Sequence, residues 1–250
     1  MADPTPQNDD AQEIDRPVAA MLLYPGLTAL DLMGPEAPLS QFMDVHLVWK
    51  TLDPVLTDSG ITITPTMTLA ECPDNLDVLF VPGGREQVQH LDDLELLTFL
   101  ADRGSRARYV TSVCGGSLIL GAAGLLRGYR AATHWTARNL LAAFGACNVD
   151  DRVVIDRNRI TGGGVTAGLD FGLTLLSEMF GEQPAKVTQL ALEYDPQPPF
   201  DVGSPEKAGP ELTALARASM GDLNDQTAAV AEKLAVTGWG RSGTESTVTL

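Results

Sequence analysis

Apolar residues in this chain arrive in short continuous runs separated by amphipathic stretches. The first run, Val18-Ala19-Ala20-Met21-Leu22-Leu23, is too uniformly apolar for a strand with one wet face. It suits a parallel strand covered on both sides. A helix is predicted over about 28–41, followed by strands near 46–49 and 61–63. Residues 77–81 form another buried strand, stopped by Pro82-Gly83-Gly84. Polar–apolar periodicity predicts a helix over 92–103, and 109–113 reads as the next strand. Strand and helix continue to alternate as far as about Leu192. Strands separated by helices imply an α/β fold, a mostly parallel sheet with helices on both faces. Beyond Phe200 the pattern loosens into helical stretches near 211–220 and 225–236 and a polar end. The reading divides the chain into a disordered tail at 1–16, one α/β domain at 17–200, and a helical extension with a frayed tail at 201–250. It finds no internal repeat.

Composition narrows the function classes. Seventeen Lys and Arg against 33 Asp and Glu give a formal net charge of −16, the wrong balance for a surface that binds nucleic acid. Charges such as Arg103, Arg106 and Arg108 interrupt every apolar run before it could span a bilayer. The acidic N-terminus has no basic segment ahead of an apolar one, so no secretory signal is read. The three cysteines (Cys72, Cys114 and Cys147) are odd in number and widely spaced. They match neither a zinc-ligand pattern nor a disulfide framework, and a reducing cytoplasm is the expected setting.

Candidate chemistry centres on Cys114. A β-branched strand ends there, Gly115 and Gly116 follow, and a helical run begins. A side chain at such a turn projects outward, and the helix N-terminus is expected to lower the thiol pKa. The competing reading is a small buried thiol in the core. In a parallel sheet, ligands bind beyond the carboxyl ends of strands. Gly83 and Gly84 mark one such end, and the N–H groups of Gly84 and Gly115 are candidate donors to a developing negative charge. A tight turn explains Gly83-Gly84 equally well. Asp31, among Leu30, Leu32 and Met33, is either a carboxyl held protonated by apolar surroundings or the N-cap of the first helix. Glu36 is a rival acid. His134 is a candidate base or pocket residue, against the commoner role of a hydrogen-bonded core histidine. Gly162-Gly163-Gly164 loosely fits a dinucleotide fingerprint but comes late and lacks the second strand that motif needs. A glycine turn in which Gly163 and Gly164 line the pocket is the preferred reading.

Several blocks together carry a resemblance. They are Leu30-Asp31-Leu32-Met33-Gly34-Pro35, the Pro82-Gly83-Gly84 turn, the Cys114 elbow, Ala132-Thr133-His134-Trp135 and Thr161-Gly162-Gly163-Gly164, with Leu192-Glu193-Tyr194 and Pro198-Pro199-Phe200 beyond them. On these the chain resembles the ThiJ/PfpI superfamily, and within it the isonitrile hydratase family, from about Val18 to Ser204. The resemblance implies a flavodoxin-like fold, a homodimer, and hydration of R–N≡C to an N-substituted formamide without metal or organic cofactor. It assigns the nucleophile to Cys114 and proton transfer to Asp31. One departure stands out: the family commonly carries threonine directly after the nucleophile, where this chain has Gly115. The missing hydroxyl implies a lost donor and a larger pocket. Peptidase-like relatives carry histidine at that position, so Gly115 weakens a protease reading.

Two other functions compete. Related glyoxalases and deglycases act on reactive carbonyls through a cysteine, with a glutamate where this chain offers Asp31. Certain transcription regulators carry a similar sensor domain followed by a basic DNA-binding domain. Only fifty residues follow Phe200 here, with seven acids against four bases, unfit to dock on phosphates. A non-catalytic sensor without DNA binding is the remaining alternative.

Overall fold

The computed structural model describes residues 16–237. The expected tail at 1–16, apart from Arg16, and the polar end from 238 lie outside the described residues. In chain order the strands are β1 (Val18–Leu22), β2 (Asp44–Trp49), β3 (Val55–Leu56), β4 (Thr62–Ile63), β5 (Met67–Thr68), β6 (Val78–Val81), β7 (Tyr109–Ser112), β8 (Arg130–Ala131), β9 (Cys147–Asn148), β10 (Val153–Asp156) and β11 (Arg159–Gly162). The helices are α1 (Ala29–Leu39), α2 (Leu94–Arg106), α3 (Gly116–Ala122), α4 (Ala167–Phe180), α5 (Glu182–Ala191), α6 (Pro205–Ala218) and α7 (Leu223–Thr237). Two 3₁₀ segments, Arg85–His90 and Trp135–Phe144, connect them.

Seven strands form the main sheet in the order β10-β11-β7-β6-β1-β2-β5. All neighbours are parallel except the β10–β11 hairpin at one edge. The sheet is the expected α/β one, flavodoxin-like in its layers, and its apolar runs are its buried centre: Ala19 to Leu22 and Val78 to Val81 are almost wholly inaccessible. Progress along the sheet reverses between β1 and β6. A crevice opens at such a reversal beyond the carboxyl ends of the strands. The turns containing Gly26 and Gly83 sit there, with the end of β7 beside them.

Three local differences have physical causes. Residues near 61–63 belong not to the main sheet but to the separate antiparallel ladder β3–β4. The helix expected to stop at Arg103 runs on to Arg106 because Gly104 is a packing site: a Cβ there would lie 2.6 Å from a Leu125 methyl. Segment α6 opens with an additional short helical turn at Pro205, capped by Ser204, and the helix expected near 211 follows a kink at Gly209, where φ is +76°. Prolines inside α1 are accommodated by glycines of α4. A Cβ on Gly168 would come within 2.9 Å of Pro35, and one on Gly172 within 2.6 Å of Pro38. Helix α7 packs on both 3₁₀ segments. Among the described residues no helix is long and apolar enough to cross a membrane.

Candidate active site

Cys114 has φ of +55°, a left-handed conformation that costs an L-residue roughly 1–2 kcal/mol. Surrounding hydrogen bonds hold it there. Its N–H donates to the Gly163 carbonyl at 2.6 Å and the Gly162 carbonyl at 3.2 Å. Its own carbonyl accepts from Thr133 Oγ1 at 2.9 Å and Ser117 Oγ at 3.1 Å. The Thr133-His134 and Gly162-Gly163 blocks thus meet at the elbow. These carbonyls, rather than N–H groups, face the cysteine, and Gly163 N–H donates to the Arg152 carbonyl, so the glycines do not form a phosphate cradle. Gly116 lets α3 start against the sheet, since a Cβ there would lie 2.0 Å from the Val81 carbonyl oxygen.

Asp31 comes to the same place from α1. Thr28, not Asp31, occupies the N-cap position, and Asp31 on the first turn is fully buried. The N-cap reading is corrected accordingly. Oδ2 accepts the Gly83 N–H at 2.9 Å, and Oδ1 is buried without a well-formed hydrogen bond. Burial pushes the carboxyl up to about 7, opposed by the Gly83 N–H and by the neighbouring Cys114 thiol. The thiol responds in the opposite sense to the sequence expectation. Burial and the charge of Asp31 hold it well above its ordinary value, against the nearby N–H groups of Gly115 and Val165. A seven-residue helix cannot offset removal of the sulfur from water beside a carboxylate. The resting pair is therefore a thiol facing a carboxyl poised near neutrality.

Gly83 is wedged between the two. A Cβ there would lie 2.4 Å from Gly115 N, 2.9 Å from Asp31 Oδ2 and 2.9 Å from Cys114 Cβ. Gly84 N–H is directed to Gln87 Oε1 at 3.4 Å, whereas the Gly115 N–H favours the Cys114 thiolate and opposes the rise of its pKa. The larger pocket expected at Gly115 is not found. The Gln87 carboxamide packs over this glycine, so that a Cβ would fall 1.7 Å from Oε1.

A cavity of about 230 Å³ opens on Cys114, Gly84, Gly115, Gln87 and His134. His134 caps the 3₁₀ segment Trp135–Phe144, with Nδ1 2.8 Å from Thr136 Oγ1. Burial, then Arg138 and Arg217, lower its pKa and keep it neutral. Its ring abuts Gly164, where a Cβ would lie 3.1 Å away. Sequence reasoning missed Gln87, Asp58 and the roof made by Met220, Leu223 and Asn224, as well as the bond by which Thr133 holds the elbow. Gln87 left one signal, its place three residues after Gly84, from which its side chain reaches back to the helix start. Glu36, the rival acid, does not line this cavity; neither do Asp31, Gly83, Gly163 and Gly164, of which Asp31 and Gly83 pack beside Cys114.

Comparison with known proteins identifies the family and the fold. Residues 18–178 match the DJ-1/PfpI family. The isonitrile hydratase of Pseudomonas putida is 51% identical over 198 residues, covering 78% of this chain and 86% of that protein. A THiJ/PfpI family protein from Pseudomonas syringae has a crystal structure that superposes with a TM-score of 0.85 at 46% identity, covering 92% of this chain and 97% of that one. The HTH-type transcriptional regulator GbdR of Pseudomonas aeruginosa is 32% identical over 188 residues, 71% of this chain but only 49% of the regulator. The chain is a member of the DJ-1/PfpI family.

Proposed function

We propose that this chain hydrates isonitriles to N-substituted formamides, with Cys114 as nucleophile and Asp31 as the proton carrier. The observation that carries this reading is the buried Asp31 carboxyl, raised to about 7 and packed with Cys114 against Gly83, where one Cβ would lie 2.9 Å from both Asp31 Oδ2 and Cys114 Cβ, while Cys114 itself lines a cavity sized for a small molecule. The 51% identity to an isonitrile hydratase supports it.

The protons move through the same carboxylate, one in the first half of the reaction and two in the second. As sulfur attacks the terminal carbon of R–N≡C, Asp31 takes the thiol proton. That carbon is left with an electron pair, and Asp31 returns the proton to it, giving the thioimidate R–N=CH–S on Cys114. Asp31 is a carboxylate again and removes a proton from water as the water oxygen adds to the carbon. The proton goes to nitrogen and the C–S bond then breaks. The carbon–oxygen bond closes to the formamide carbonyl, and the hydroxyl proton returns through Asp31 to sulfur. One water is consumed. Asp31, the thiol and water hold every proton in the scheme, so it is written without metal or cofactor. Gly83 N–H keeps Oδ2 in place while Oδ1 is free to exchange.

The test is incubation of purified protein with a simple alkyl isonitrile and, separately, with methylglyoxal. The expected product is the N-alkylformamide, absent with Cys114→Ala. Lactate from methylglyoxal without any formamide would replace this reading by the carbonyl-directed one.

A further inference from the structure

Gln87 is buried, at 4% exposure, yet its carboxamide is only half used. Gly84 N–H donates to Oε1, which fixes the orientation of the amide, because a donor requires the oxygen. Nε2 therefore points away from Gly84. It makes no protein hydrogen bond among the described residues and is not among their sealed, unpaired polar atoms. Gln87 also lines the cavity with Cys114 and Gly115. The absent side chain at 115 makes this possible: an ideal Cβ on Gly115 would fall 1.7 Å from Oε1, 2.4 Å from Cδ and 2.5 Å from Nε2 of Gln87. The carboxamide thus occupies the volume that any side chain on the residue after the nucleophile would need.

We propose that Gln87 is a substrate-contacting residue whose Nε2–H donors, held over Gly115, bind the oxygen that water adds to the substrate carbon. This rests on the isonitrile reading for the identity of that oxygen. A buried amide anchored through its acceptor is a preorganised donor, and it meets the oxygen only after water has added. Gln87 and Gly115 then form one unit: enlarging residue 115 expels the carboxamide.

Two variants of similar volume isolate the donor. Gln87→Met removes all polarity, whereas Gln87→Glu keeps an acceptor for Gly84 N–H but lacks the N–H₂ group. Both should lower kcat for alkyl isonitrile hydration by about tenfold, the upper scale of one lost hydrogen bond to an uncharged oxygen. A second readout needs no turnover. Iodoacetamide carries a carbonyl acceptor and iodomethane carries none, so the ratio of their alkylation rates at Cys114 reports the donor. That ratio should fall by about fivefold in both variants. Gly115→Ala should lower the melting temperature, while Gly115→Ala in a Gln87→Ala background should add little to the effect of Gln87→Ala alone.

An unchanged ratio with unchanged kcat would overturn the proposal even if formamide is formed. So would additive melting shifts, which would deny the contact. A wild-type protein that makes no formamide, yet shows the fall in ratio, would keep Gln87 as a ligand donor and defeat the isonitrile reading alone.

Discussion

The N–H of Gly83 donates to Oδ2 of Asp31 at 2.9 Å, joining the turn after β6 to the first turn of α1 across the crevice. One bond of this kind anchors a carboxyl without committing its second oxygen. Burial raises the Asp31 pKa, and the Gly83 bond opposes that rise only in part. A group that must accept and return a proton near neutral pH needs both effects.

Asp31→Asn keeps the shape and the acceptor for Gly83 N–H but cannot exchange protons. Hydration should fall by about 10²-fold or more, a common scale for a lost acid–base group. In the wild type, kcat/KM should rise with pH through about 7 as Asp31 becomes the carboxylate that receives the thiol proton. An acid limb near pH 4, or near-normal turnover of the Asn variant, would remove Asp31 from the mechanism.

The same shift predicts a stability profile. The folded-state pKa of Asp31 lies above its ordinary value of 3.8, so its favourable contribution is complete below about pH 4 and disappears as pH rises through about 7. Relative to Asp31→Asn, the wild type should lose stability across that window and then level off. The loss is at most roughly 4 kcal/mol, from about three units at 1.36 kcal/mol each. Parallel denaturation curves for the two proteins from pH 4 to 8 would contradict the burial argument.

Cys114→Ala should abolish hydration, whereas Cys72→Ala and Cys147→Ala should retain it. Intact-mass measurement of a quenched reaction should show the substrate's mass added on the peptide holding Cys114. Because Cys114 has φ of +55°, Cys114→Gly should be more stable than Cys114→Ala by about 1 kcal/mol. Equal stabilities would mean that the elbow relaxes once the thiol is gone.

The elbow itself was legible in the sequence because strand, cysteine and glycines are adjacent in the chain. So was the crevice, since apolar runs ending in glycine mark strand ends whatever their order in the sheet. Asp31 was ambiguous because its burial depends on β6 and β7, which arrive some fifty and eighty residues later. The thiol pKa was misread for a related reason: the helix is local, while the carboxyl and the buried setting that outweigh it are distant. The roof was invisible for the same cause, and Gln87 left only its spacing from Gly84 as a signal. Gly115 looked like an empty place in the sequence, and only the fold brings Gln87 over it.

We expect a homodimer. Helix α1 leaves Leu30 and Met33 at 45% and 41% exposure, with Ile61 at 55% beside them, around a shallow apolar hollow next to the site. Light scattering should give twice the chain mass of 26.6 kDa, and Met33→Glu should shift it toward the monomer. A monomer mass for the wild type at micromolar concentration would contradict this.

The roof predicts control of substrate size. Met220, Leu223 and Asn224 line the cavity from the region between α6 and α7 and from the start of α7. Asn224 Nδ2 donates to the Thr136 carbonyl at 2.8 Å, and Arg217 to the same oxygen at 3.3 Å while lying over the Trp135 ring. These bonds tie the roof to the 3₁₀ segment that His134 caps, two residues from Thr136. Leu223→Ala removes apolar wall but no hydrogen bond, so it should raise KM for a small alkyl isonitrile by about tenfold, the scale of one to two kcal/mol of lost apolar contact. It should also admit a bulkier isonitrile that the wild type turns over poorly. Asn224→Ala should raise KM for both substrates, because it loosens the wall rather than enlarging it. A Leu223→Ala protein with unchanged KM for every substrate size would place the substrate deeper than the roof and leave these residues a purely structural part.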